Sequence, residues 1–389
     1  MSPDSVELFA GGGGMALGMH AAGFEHTALV EWDPRAVRVL DANGHLKPAR
    51  WKPDNVHHED VRGWLKSAAG SIPQGVDLLA GGPPCQPFSL GGAHAGTADE
   101  RNMFPASVDA VRLLRPKLAV FENVPGLLRP DFRPYYDYIC DSIRYSGAEP
   151  GKPSSGWAKD HARILRWAQH NSPDYEVYVE TINAADHGAP QVRNRVFLIA
   201  IRTDITGSAT WTGVIPTHSE AALLHSQDVS GEYWTRHGLP SQGLARAARL
   251  KALLKKDPSA GELLPWLTVR DAISDLPDPV DGKEHPTILN HSGIPGARSY
   301  VGHTGSDIDW PSKTMKAGVH GVCGGEAMIR FRDGTLRYMT IRESARMQTF
   351  PDDYDFTGSR SPVMWTIGNA VAVNVARDIG TQLRAHTGI

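Results

Sequence analysis

The chain has 389 residues, enough to bury one or two cores, and 41% hydrophobic with 21% charged residues is the composition of a globular protein rather than a disordered one. A net charge of −3 excludes a protein that coats nucleic acid through bulk positive charge, while leaving room for a local basic cleft. No apolar stretch approaches the ~20 residues that a membrane helix needs. The start MSPDSVELFAGGGG has neither a basic stretch nor a long apolar centre, so no signal peptide and a cytoplasmic location are expected.

Short apolar runs at Val6 to Ala10, Thr27 to Glu31, Val56 to Glu59, Val76 to Ala80, Leu118 to Phe121, Glu176 to Ile182 and Val196 to Ile201 read as strands. Helical spacing lies between several of them, as in Ala106 to Leu114, where Val108, Val111 and Leu114 share a face. Such alternation predicts an α/β fold with a mostly parallel sheet covered on both sides, and ligands gathered beyond the carboxyl ends of its strands. The rhythm is lost from 203 to about 336, where Gly, Pro, Ser, His and Thr abound. A second, smaller domain is expected there, with a basic helix around Leu244 to Lys256. Thr340 and Glu343 then form a capping box, and Val371, Val375 and Ile379 line one face of a final helix. Gly147 to Gly156 reads as a surface insertion, within a longer segment from Tyr145 to Pro173 that has no assigned role.

The chemistry gathers at the predicted strand ends. Gly11 to Gly14 permit a sharp turn and close approach of a ligand to the backbone, and Gly11, Gly13 and Ala16 fit a dinucleotide-type GxGxxA pattern with Glu31 placed to hold a ribose hydroxyl. Trp32 and Asp60 add an aromatic face and a second acceptor, the groups an adenosine needs. Taken singly, Trp32 reads as core and Asp60 as the cap of a turn; beside the glycines the cofactor reading is preferred.

GGPPCQPFS at 81–89 ends the fourth strand with Cys85 among three prolines, a stiff setting that suits a positioned nucleophile. The other cysteines, Cys140 and Cys323, form no CxxC pair with it, so neither a disulfide framework nor a metal site is expected. The fifth strand delivers Glu122, and a carboxyl beside a cysteine is a pairing used in covalent catalysis. In QVRNR at 191–195, Arg193 and Arg195 alternate with the strand period and are read as pointing to one side, either toward solvent or to hold an anion or a base oxygen.

Taken in order, FAGGGG (9–14), EWD (31–33), GGPPCQPFS (81–89), ENVPG (122–126), QVRNR (191–195), RESARMQTFPDDY (342–354) and GNAVAVNVA (368–376) resemble the DNA (cytosine-5) methyltransferases of bacterial restriction-modification systems. The resemblance spans nearly the whole chain. It implies a Rossmann-like S-adenosylmethionine-dependent domain over 1–202 and 337–389, and a target recognition domain over 203–336. It implies that Phe9, Gly11, Gly13, Glu31, Trp32, Asp60, Asn369 and Val371 serve the S-adenosylmethionine site. Cys85 is then the nucleophile, Glu122 a contact to the target base and Arg195 the holder of the cytosine carbonyl, with Arg193 beside them. Gln86, Ser89, Lys313 and Lys316 are expected at the DNA, and Arg202 and Arg330 are further candidates for the cleft. Position 370 is alanine where serine is common in this block, which removes a hydroxyl contact.

The expected substrate is therefore double-stranded DNA, methylated at cytosine carbon 5 by a monomer, with a cognate restriction endonuclease as a functional partner. The short lead before Phe9 favours a stand-alone modification enzyme. Three rival readings account for fewer of these residues. A transfer RNA methyltransferase of the same lineage would carry a Cys-Phe-Thr element, absent here. A catalytically inactive DNA-binding relative sits poorly with Cys85, Glu122 and Arg195 together. An NAD-dependent oxidoreductase leaves GGPPCQPFS and ENVPG without purpose.

Overall fold

The computed structural model describes residues 2–44, 50–68, 72, 74–84, 102–151, 156–205, 210–241, 246–301, 303–317 and 327–389. The chain divides into two compact units, one of residues 1–182, 194–213 and 379–389, the other of 183–193 and 214–378. Packing thus groups 337–378 with the second unit, whereas the sequence reading groups it with the cofactor-binding part.

In the first unit the elements run β1 (Asp4–Leu8), α1 (Gly14–Ala21), β2 (Glu25–Glu31), α2 (Pro34–Gly44), β3 (Val56–His58), α3 (Val61–Ala68) and β4 (Leu78–Gly81), then α4 (Phe104–Leu114), β5 (Leu118–Asn123), α5 (Arg133–Arg144), α6 (Trp157–Ala168), β6 (Tyr175–Asn183) and β7 (Asn194–Arg202). The strands form one sheet in the order β3-β2-β1-β4-β5-β7-β6. All seven expected strands are present, with ends moved by one or two residues. Neighbours from β3 to β5 pair in parallel, and β7 pairs antiparallel with β5. β4 and β5 are buried throughout, as strands covered on both faces must be. Strand order reverses at β1 and β4, so the crevice beyond their carboxyl ends is where this topology admits a ligand.

The core of this unit joins Val6, Leu8, Leu79, Ala119 and Phe121 of the sheet to Phe104, Val108 and Val111 of α4 and to Tyr136, Ile139 and Ile143 of α5. The segment without a predicted role contains α6, which packs on α5 through Tyr135 against Trp157 and Tyr138 against His161. Cys140 lies in this core, and burial pushes its thiol up to about 12, so it is no nucleophile at neutral pH.

Two ionisable groups inside the unit set a pH dependence. Glu7 of β1 is buried beside Glu31, and burial raises its carboxyl to about 8. His26 of β2 is buried against Ser5 Oγ and the Ala16 carbonyl, and burial lowers it to about 4. Glu7 binds its proton more tightly when folded, so its contribution falls as pH rises from 4.5 to 8. His26 binds its proton less tightly when folded, so its contribution is lost as pH falls from 6.5 to 4. The two oppose each other between 4.5 and 6.5, and only Glu7 acts above. Stability should therefore fall between pH 6.5 and 8, by up to about 1.4 kcal/mol per unit. Denaturant titrations at pH 6.5 and 8 should show this fall in the natural protein and a flatter profile in Glu7→Gln; equal slopes would refute the assignment.

The second unit opens with β8 (His218–Ser219), α7 (Glu220–Asp228), α8 (Glu232–Arg236) and the predicted basic helix, α9 (Ala247–Lys256). Its core is aromatic, with Tyr233, Trp234 and Trp266 packed around Leu223. The capping box closes as expected, Thr340 Oγ1 accepting from the Glu343 backbone N–H and Glu343 from that of Thr340. One expectation fails: the final helix begins at Val373, so Val371 lies before it rather than on its face. The Asn369 end of the preceding helix (Arg360–Asn369) leads through an extended Ala370, which breaks the helical spacing.

Candidate active site

The turn after the first strand is strained at Phe9. Beyond β1, Phe9 takes φ +57°, Gly11 +54° and Gly13 +78°. Left-handed backbone suits glycine but is unusual for phenylalanine, so Phe9 is held there by its surroundings. The Glu31 carboxylate supports the turn: Oε2 accepts from the Gly11 N–H (2.8 Å), and Oε1 from the N–H groups of Trp32 (2.9 Å) and Asp33 (2.8 Å). Burial raises its pKa against these bonds. Oε2 retains a lone pair beyond the one Gly11 uses.

At the next strand end, Trp32 is 67% exposed. That overturns the reading of Trp32 as core and leaves an aromatic face open. Asp60, beyond β3, accepts from the Arg62 backbone N–H (2.8 Å) and pairs with its guanidinium (2.9 Å). Arg62 holds the Asp60 carboxyl below the usual carboxylate range, so it remains an acceptor while it also caps a turn. Because β1, β2 and β3 are adjacent and parallel, these groups share one edge of the sheet.

Along the same edge β4 ends against β5. A Cβ on Gly81 would lie 2.6 Å from the Leu8 carbonyl oxygen, and one on Gly82 would touch Glu122 Oε2 at 3.5 Å. Only glycine lets the strand run this close to β1, and the next residues reach Glu122. The Asn123 amide donates to the Pro83 carbonyl (2.9 Å), tying the chain after β4 to the end of β5. Cys85, Gln86 and Ser89 lie outside the described residues.

Glu122 is buried, and its Oε1 meets Arg195 Nε at 2.8 Å. The antiparallel register explains this: Glu122 faces Phe197, and Asn123 faces Val196, so Arg195 emerges just beyond the end of β5. Burial lowers the Arg195 pKa in spite of Glu122, yet the group stays charged at any ordinary pH. A buried carboxylate and guanidinium at a strand end, beside a proline-stiffened segment, can hold a planar polar ring and manage a proton on it.

Arg193 differs from Arg195. β7 begins at Asn194, so the expected alternation along the strand does not include Arg193, and the two arginines belong to different compact units. Arg193 is 2% exposed, and its guanidinium donates to the carbonyls of Met315 (2.9 Å), Gly368 (2.8 Å) and Ala370 (3.0 Å). It is neither a solubilising side chain nor turned to solvent. Arg202 ends β7, about 23 Å along the strand from Arg195 at ~3.3 Å per residue, and is paired with Asp204 (2.6 Å). The antiparallel run of β7 carries Arg202 to the opposite edge of the sheet, so it does not line the cleft.

Lys313 and Lys316 are exposed on a segment stitched to QVR: Ser312 and Val192 share a backbone bond (2.9 Å), Thr314 Oγ1 donates to the Val192 carbonyl (2.8 Å), and Met315 N–H donates to Gln191 Oε1 (2.6 Å). Arg330 pairs with Asp307 at 3.2 Å. Asn369 and Val371 flank the Ala370 carbonyl held by Arg193 and by Gln348 (3.2 Å). The alanine at 370 thus serves the second unit through its backbone. The Asn123 bond to Pro83 escaped sequence reasoning although ENV was singled out, because its partner is a carbonyl, which no residue type announces.

The model of the C-5 cytosine-specific DNA methylase family matches residues 4–147 and 166–385. The Type II methyltransferase M.NgoMIV of Neisseria gonorrhoeae is 31% identical over 97% of this chain and 96% of its own length. The Type II methyltransferase M.AplI of Arthrospira platensis is 27% identical over 97% and 85%. Among solved structures, the S. pombe Dnmt2 methyltransferase aligns with a TM-score of 0.57 at 16% identity, covering 98% of each chain, a likeness of fold. With a glycine turn, a carboxylate and guanidinium at adjacent strand ends and a family match over nearly all its length, the chain belongs to the C-5 cytosine-specific DNA methylases.

Proposed function

We propose that the protein transfers a methyl group to carbon 5 of cytosine in a specific double-stranded DNA sequence, as the modification enzyme of a restriction-modification pair, acting in the cytoplasm as a monomer. The Glu122–Arg195 pair beside the end of β4 carries this reading. The relatives named Type II methyltransferases support the modification role and a cognate endonuclease.

The cofactor edge fits S-adenosylmethionine. Glu31 Oε2 has a lone pair for a ribose hydroxyl, the exposed Trp32 ring offers a stacking face, and ionised Asp60 accepts from an amino group. Phe9, Gly11 and Gly13 would shape the turn against it, and resemblance to the family assigns Asn369 and Val371 to the same cofactor. When bound, it supplies an electrophilic methyl group.

The residues of the chain then do the rest. Carbon 5 of cytosine is a poor nucleophile, and addition of the Cys85 thiolate to carbon 6 makes the ring an enamine that is nucleophilic at carbon 5. Glu122 holds a proton at ring nitrogen 3 as the electron pair moves there, and Arg195 steadies Glu122 and the carbonyl at carbon 2. Loss of the carbon 5 proton restores the ring and expels the thiolate. The base must leave the duplex to reach these groups, at about a few kcal/mol. Residues 203–336 are proposed as the target recognition region that offsets this cost, with Lys313, Lys316, Gln86 and Ser89 at the DNA.

The test uses duplexes that contain 5-fluorocytosine, whose carbon 5 cannot lose a proton. With S-adenosylmethionine present, the intact protein should become covalently attached to a duplex carrying its site, found by bisulfite sequencing of DNA from expressing cells. Failure to trap on any such duplex would overturn the proposal.

A further inference from the structure

Cys85 follows Pro84, which lies three residues beyond the end of β4, and the next described residue is Asn102. These two described ends are fixed to each other, because the Met103 N–H donates to the Pro84 carbonyl at 3.3 Å. Pro83 is held from one side by Asn123. On the returning side, the buried Asn102 donates its amide to Tyr135 Oη at 2.6 Å and accepts from the Phe104 N–H just before α4. Tyr135, on α5, is itself buried, and Trp157 packs edge-on against its ring at 5.5 Å between centroids. Trp157 opens α6, and residues 148–165 are the internal stretch that the family match leaves out.

We infer that Tyr135, acting through Asn102 and backed by Trp157, is a positioning residue for methyl transfer: with Asn102 held, Met103 keeps its bond to the carbonyl of Pro84, the residue that precedes Cys85. The inference rests on the reading of Cys85 as the nucleophile. The physical ground is that a buried amide needs its partner, so the Asn102–Tyr135 bond holds one geometry of the chain rather than several. A displacement of about 1 Å at a reacting atom can cost ~100-fold in rate. It also gives the 145–173 segment a purpose: α6 supports Tyr135 through Trp157.

Tyr135→Phe keeps the ring and its packing on Trp157 but removes the hydroxyl. At saturating S-adenosylmethionine, its covalent trapping on 5-fluorocytosine duplex should be about 10- to 100-fold slower than in the natural protein. The final extent of trapping and the affinity for S-adenosylmethionine should be unchanged. Asn102→Ala, which also loses the acceptor of the Phe104 N–H, should slow trapping at least as much, and the double variant no more than Asn102→Ala, since the Asn102–Tyr135 bond is already broken in either single. Trapping at the natural rate by Tyr135→Phe overturns this inference alone, as does additive slowing in the double variant. Slowing that merely tracks a loss of folded protein in melting curves also overturns it. If the natural protein fails to trap, the nucleophile assignment falls and this inference falls with it.

Discussion

Cys85→Ala is expected to abolish methyl transfer to DNA, and Glu122→Gln to slow it by about 100- to 10,000-fold. In the proposed mechanism the first removes the atom that turns the ring into an enamine, and without it carbon 5 has no means of attack. The second keeps the shape of the side chain and an acceptor for Arg195 Nε, now 2.8 Å from Glu122 Oε1, but cannot hold or return a proton at ring nitrogen 3. Stability should change by only about 1–2 kcal/mol, since the bond to Arg195 survives in neutral form. Single-turnover transfer of a labelled methyl group measures both variants, and melting curves confirm that they are folded. Transfer at the natural rate by Glu122→Gln would remove Glu122 from the chemistry and leave it as the support of Arg195.

Arg193→Met is expected to destabilise the protein by about 3–5 kcal/mol, before any effect on DNA is considered. Three carbonyls, of Met315, Gly368 and Ala370, take its guanidinium inside the second unit. Each bond from a charged donor contributes about 1.5–3 kcal/mol, and each buried carbonyl left without a partner adds to the loss. Against a total stability of roughly 5–15 kcal/mol this is a large fraction. Arg193→Lys should recover only part, because one ammonium cannot reproduce the planar fork. Denaturant titration gives the size of the loss. A variant of unchanged stability that binds DNA more weakly and with a shallower dependence on salt would instead mark Arg193 as a phosphate contact.

These two arginines show how far the sequence could be read. QVRNR announces a pair of cations, and strand alternation, a local rule, places both on one side. What separates them is the onset of β7 at Asn194: Arg195 lies on the strand and meets Glu122, while Arg193 lies before it and turns to carbonyls of residues more than a hundred positions away. Arg202 fails for a related reason, since the direction of β7 is set by its pairing with β5 and not by its own composition. Asn102 and Tyr135 carry no motif, and their bond joins residues 33 positions apart in a core where neither residue type stands out.

Family, strand positions, the glycine turn and Glu122 were legible in residue order alone, because strand periodicity, proline and glycine act over a few residues and the seven blocks keep their sequence. Tertiary structure decided which charged groups are spent inside the fold, as Arg193 is on three carbonyls. Carbonyl partners, strand direction and burial arise only when distant segments meet, and no local pattern of residues encodes them.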